Sequence, residues 1–232
     1  MTTQKQKKRK TLGQVIRANR LYFLSYFLAL TMSTIGLTQI TQGNENLYFV
    51  AFRGSIWDTV FKLATQLAEP TILAIIIFFL LFRSYRNAVS LLTALLISLT
   101  ATALAKLFFR HIRPVLYFDR LHRLEELVPV EGVHLLTGDT SFPSGHTMAA
   151  FAAYTLLALQ SKQKKYLAVL FFIPAVSVGL SRIYLGQHFL KDVIAGSISG
   201  VLIGLVVYIF FERLADHPKW NGNLTHAFAK KR

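Results

Sequence analysis

The sequence contains no cysteine and only six prolines in 232 residues. Without thiols there are no disulfides, and any metal would have to be held by His, Asp and Glu alone. Acidic residues are also scarce, with 11 Asp and Glu against 26 Lys and Arg. Charged residues of both signs make up 16% of the chain, below the roughly 25% of an ordinary soluble domain, while 53% is hydrophobic. No internal repeat is present, and no low-complexity tract apart from the basic run Lys5–Lys10. What the chain has in quantity is apolar runs that approach the roughly 20 residues of a membrane-spanning helix. It reads as an all-α polytopic membrane protein.

The net charge of +15 raises nucleic acid as a partner, with Lys5–Lys10 and Lys230–Arg232 as the candidate contacts. Topology accounts for the charge better, because basic residues stay on the cytoplasmic side of a membrane. No nucleic-acid partner is expected. Six spans are predicted, roughly Leu21–Ile40, Asp58–Phe82, Ala88–Phe109, Thr147–Leu159, Tyr166–Ser181 and Phe189–Phe211. The run Leu21–Leu37 lacks a small-x-small cleavage pattern after it and is read as a retained first span rather than a cleaved leader. Seventeen Lys and Arg fall on the side of the two tails and nine on the other, so both termini are expected in the cytoplasm. The domain plan is a basic tail over 1–20, a six-helix membrane domain over 21–212 and a second basic tail over 213–232.

Three polar clusters fall at outer helix ends. In "KLFFRHIRP", Lys106 and Arg113 lie two helical turns apart and share a face if the helix continues to Pro114, where it must stop. In "SFPSGHTMAA", Pro143 suits a first helical turn and Ser141 is placed to cap it. The free amides at such a start, beside Gly145, suit an anion, and Ser144 and His146 stand at the same place. In "SRIYLGQHFLKD", His188 and Asp192 are four apart and therefore neighbours if both are helical. A carboxylate there fixes the imidazole tautomer and leaves its other nitrogen free to act. Gly196, Gly200 and Gly204 continue the four-residue step as a stripe for close helix packing.

Together the clusters supply three cations (Lys106, Arg113 and Arg182), an amide-rich turn, two histidines and one carboxylate. Cations in excess repel a divalent metal and favour an anion, and phosphate matches both guanidinium forks and helix N-termini. Two histidines beside a phosphate divide the labour: one attacks phosphorus and the other protonates the departing oxygen. The cations stabilise the charge on the equatorial oxygens in the transition state.

Written as K-x6-R-P, P-S-G-H and S-R-x5-H-x3-D, these residues resemble the signature of the type 2 phosphatidic acid phosphatase superfamily, with every motif position present in order. The resemblance implies that His188 is the nucleophile, that Asp192 orients it, and that His146 is the acid for the leaving group and then the base for water. It implies that Lys106, Arg113, Ser144, Gly145 and Arg182 hold the phosphate, and that no metal or other cofactor takes part. The implied activity is hydrolysis of a lipid phosphate monoester or pyrophosphate at the outer leaflet of the cell (inner or plasma) membrane, facing the periplasm or cell exterior. Undecaprenyl pyrophosphate, phosphatidylglycerol phosphate, phosphatidic acid and lipid A are the candidate substrates. A phosphotransferase with the same pocket, or a non-catalytic anionic-lipid carrier, are the alternatives. Arg110 and His111 occupy variable positions of the first motif and are expected at the surface or behind the pocket. His122, His134, His217 and His226 receive no role. The partners implied are the lipid substrate and the bilayer, and the oligomeric state is left open.

Overall fold

The computed structural model describes residues 11–161, 166–214 and 222–224. The run Lys5–Lys10, the basic turn at 162–165, His217, His226 and Lys230–Arg232 lie outside the described residues. Within them the chain is all-helical, with no strand. Helices α1 (Leu12–Ala18), α2 (Arg20–Gln39) and α3 (Asn44–Val50) are followed by α4 (Ser55–Gln66), α5 (Pro70–Arg83) and α6 (Tyr85–Phe109). After these come α7 (Pro114–Arg120), a 3-10 turn at Leu124–Glu126, α8 (Gly145–Gln160), α9 (Tyr166–Tyr184) and α10 (Leu190–Arg213).

Helix α8 is the axis of the bundle. Every residue from Ala150 to Leu159 is buried, and α6, α9 and α10 pack around it. The glycine stripe of α10 explains the tightest of these contacts. A Cβ at Gly196 would stand 2.6 Å from the Ser144 carbonyl oxygen, at Gly200 2.5 Å from that of Met148, and at Gly204 2.8 Å from that of Ala152. The two backbones therefore run in register at a four-residue step, as small residues on one helix permit. Tyr22 of α2 closes another side, sharing a 2.6 Å hydrogen bond with Thr155 in a buried site.

The faces turned outward are apolar. Leu24, Phe27 and Leu28 on α2, Phe78 and Phe79 on α5, and Leu202, Val206 and Phe210 on α10 are all exposed. Apolar faces of this extent do not stand in water on a soluble monomer. Three helices, α2, α6 with its continuation through α7, and α10, are long and apolar enough to cross a membrane, and the bent pair α4–α5 makes a fourth.

That pair corrects one expectation. The predicted span Asp58–Phe82 is not continuous but breaks between Gln66 and Pro70, with a bend of 52°. Pro70 is the reason: it starts α5 at the first helical position and holds Glu69 in an extended conformation at φ −69°, ψ 144°. The first polar cluster is corrected as well. Helix α6 stops at Phe109, where Arg110 takes a left-handed conformation (φ 46°), and Pro114 opens α7 instead of ending α6. Lys106 and Arg113 do not share a continuous helix. Ser84 alone separates α5 from α6 and caps the latter by accepting from the Asn87 amide. At that end of the bundle Arg86 and Glu212 form an ion pair at 3.3 Å. The polar clusters gather at the opposite end.

Candidate active site

His188 and Asp192 form the buried centre of the site, at 2% and 0% exposure. His188 is not itself helical, since α10 begins at Leu190, so the expected helix-face pairing is replaced by a turn-to-helix contact. Its Nδ1 nonetheless lies 3.4 Å from Asp192 Oδ2. The same oxygen accepts from the Ser141 hydroxyl at 2.5 Å and from the Phe189 amide at 3.0 Å, which fixes the carboxylate at the first turn of α10. Burial is the largest cause that lowers the His188 pKa, to about 4; Arg182 and Arg113 add to the effect while Asp192 opposes it. The imidazole is accordingly neutral, with a lone pair, across the physiological range.

Ser141 does not cap α8, contrary to the expectation. Ser144 does, accepting from the Thr147 amide and hydroxyl, and the helix starts at Gly145. Gly145 is required for packing, because a Cβ there would stand 3.0 Å from Thr102 Cγ2 of α6. The Ser144 amide donates to the backbone carbonyl of Asp192, which locks the start of α8 to the start of α10. His146, one residue into α8, is half-buried and shares a 3.0 Å hydrogen bond through Nε2 with Glu69 Oε1.

The cations surround this centre. Arg113 is buried and donates to the backbone carbonyls of Gln187 and Thr140. Arg182, also buried, donates through one terminal nitrogen to Thr65 Oγ1 at 2.8 Å, while its Nε has no partner among the described residues. Lys106 is half-buried and interacts electrostatically with Arg113, Arg182 and Asp192. His146 feels both Arg182 and Lys106. Each of the seven motif side chains thus lies near at least one other at one end of the bundle, Ser144 through its amide on Asp192, and Gly145 follows Ser144 directly in the chain. Among the described residues no three His, Asp or Glu side chains converge as metal ligands. Of the residues set aside, Arg110 is exposed, and His111 packs against Phe142 with ring centroids 5.6 Å apart.

The profile of the PAP2 superfamily matches residues 87–216. The chain belongs to the PAP2 superfamily. Among its relatives, phosphatidylglycerophosphatase B of Bacillus subtilis is 40% identical over 82 residues, a match covering 32% of this chain and 40% of that protein. Less than two thirds of that relative's length is therefore spanned. Undecaprenyl-diphosphatase BcrC of the same organism is 24% identical over 172 residues, or 72% of this chain and 82% of that one. The crystal structure of a transmembrane PAP2-type phosphatidylglycerolphosphate phosphatase from Bacillus subtilis superposes with a TM-score of 0.62 at 24% identity, over 86% of this chain and 98% of that one. It shares the fold.

Several residues that build the site carried no motif. Glu69 arrives from the elbow between α4 and α5, and Ser141 from the loop before α8. Asn46 of α3 donates to the carbonyls of Ile183 and His188 at 2.9 and 3.2 Å, bracing the loop that carries His188. Glu45 accepts from the Leu190 amide at the start of α10.

Proposed function

We propose that this protein is an integral membrane phosphatase that hydrolyses the phosphate of a membrane lipid through a phosphohistidine intermediate. The observation that carries the reading is the convergence of a buried His188 paired with Asp192, a second histidine and three cations at the start of α8. In the first step the free Nε2 lone pair of His188 attacks phosphorus. An N–P bond forms, the P–O bond to the lipid breaks, and His146 gives its proton to the departing oxygen. Lys106, Arg113, Arg182, Ser144 and the Gly145 amide hold the phosphoryl oxygens and take up their growing charge. In the second step His146 removes a proton from water, the water oxygen attacks phosphorus, and the N–P bond breaks to release inorganic phosphate. Asp192 keeps the His188 proton on Nδ1 throughout.

In this reading the chain crosses the membrane six times with both termini in the cytoplasm, and the chemistry takes place at the outer leaflet. The side-chain basis for that orientation is the excess of Lys and Arg around the tails. The lipid tail then approaches sideways between helices. Undecaprenyl pyrophosphate, phosphatidylglycerol phosphate, phosphatidic acid and lipid A are the candidate substrates, with undecaprenyl pyrophosphate preferred. Two of these chemistries appear in the names of the relatives described above.

Phosphate release by purified protein in detergent with EDTA, measured on those four lipids, tests the reading. Release from at least one of them, unaffected by the chelator, is expected. Inertness toward all four, or activity that the chelator abolishes, contradicts it.

A further inference from the structure

Glu69 stands where an acid is least expected, inside an apolar run and at a break in a helix. Three observations show that this position is built. Pro70 forces the extended backbone that turns Glu69 out of the helix line. The Tyr154 hydroxyl donates to the Leu67 carbonyl at 2.9 Å, pinning the elbow onto α8. Tyr154 and His146 belong to the same helix, so the elbow is held against the element that carries that histidine. Thr65, four residues before Glu69, meets Arg182 from the same side. The elbow thus contacts two site residues at once, and it lies outside the residues 87–216 that the superfamily profile matches.

From this we infer that Glu69 is a positioning residue that forms a second carboxylate–histidine pair, dedicated to leaving-group protonation. Resting on the reading of His146 as the general acid, the inference gives Glu69 two tasks. Its carboxylate orients the ring through Nε2 and supports the positive charge that the ring carries before it donates its proton. The two histidines of the site then differ in the exposure of their carboxylate partners. His188 is sealed and neutral beside a fully buried Asp192, whereas His146 is paired with a carboxylate that is 44% exposed, at the side where a leaving group departs into solvent or lipid. No side-chain cap depends on Glu69, so replacing it does not remove a helix-capping bond.

The test compares two phosphate esters that carry the same long alkyl tail. One releases an alcohol, which must be protonated; the other releases a nitro-substituted phenol, which need not be. First-turnover rates are measured for the wild type, Glu69→Gln, Glu69→Ala and His146→Ala. Glu69→Ala is expected to slow alcohol release by about 10- to 100-fold, part of the general-acid contribution, and to slow phenol release less than about threefold. Glu69→Gln, which retains an acceptor oxygen but no charge, shows the same selectivity with a smaller loss. Equal losses on both esters, or no loss on either, overturn the inference. Failure of His146→Ala to show the selectivity overturns the assignment of His146 instead, and failure of the wild type to turn over either ester overturns the phosphatase reading.

Discussion

His188→Ala is expected to lose at least about 10⁴-fold in turnover, the scale seen when a hydrolase that works through a covalent intermediate loses its nucleophile. The imidazole supplies the lone pair that displaces the lipid, and of the two site histidines it is the one paired with a fully buried carboxylate. The remaining cations still bind substrate, so KM should move far less than kcat. His188 is 2% exposed, and truncating it leaves a small cavity. His188→Gln, nearer in volume, controls for that and should be as inactive. Both variants are expected to purify with the wild-type elution profile in detergent. Turnover within tenfold of the wild type in either would remove His188 from the nucleophile's role.

Gly200→Val is expected to destabilise the bundle more than any comparable surface change. Its Cβ would meet the Met148 carbonyl at 2.5 Å, the Phe151 Cβ at 2.8 Å and the Ala152 amide nitrogen at 3.0 Å. Two of these are backbone atoms of the central helix, so relief requires α8 and α10 to separate. Overpacking of this kind costs about 1–3 kcal/mol and more where backbone cannot yield. For a chain of this size about 3 kcal/mol corresponds to a fall in Tm of about 6–12 °C. Separation would also stretch the bond from the Ser144 amide to the Asp192 carbonyl, pulling His146 away from His188. Activity should therefore fall before the protein unfolds. Gly13→Ala serves as the control, since nothing lies within 4 Å of a Cβ there. A Tm for Gly200→Val equal to that of the control would show that the glycine stripe does not set the distance between α8 and α10.

How much of this was legible in the sequence differs from residue to residue. The pairing of His188 with Asp192 followed from spacing alone and survived although His188 is not helical, because a first-turn carboxylate reaches back to the residues just before its helix. The Gly196, Gly200 and Gly204 stripe named its own function, since close approach of a backbone is the main reason for glycine at every fourth position of a span. The elbow was missed because the apolar average from Asp58 to Phe82 hides two residues, Glu69 and Pro70. A carboxylate in an apolar run is a functional signal in its own right, and a proline after it marks a break; together they would have exposed both the bend and the partner of His146. Asn46 was beyond reach, and so was the partner of Ser141, which the sequence offered only as a helix cap. Their contacts with the loop at His188 and with Asp192 join residues 142 and 51 positions apart, and nothing local in an asparagine or a serine announces a partner so distant. The stop of α6 at Phe109 was hidden for a different reason: a left-handed arginine follows no residue preference that a reader of sequence would apply.

The proposed catalysis turns on a covalent bond between phosphorus and His188. Protein quenched in alkali during turnover, where phosphohistidine persists, then digested and analysed by mass spectrometry, reads that bond directly. The prediction is a phosphoryl group on the peptide containing His188, absent from His188→Ala and, with a phosphate ester whose leaving group needs no protonation, accumulating in a variant that lacks His146 as base. Phosphate found on another residue, or an active enzyme that never carries phosphate while water attacks the lipid directly, would contradict it.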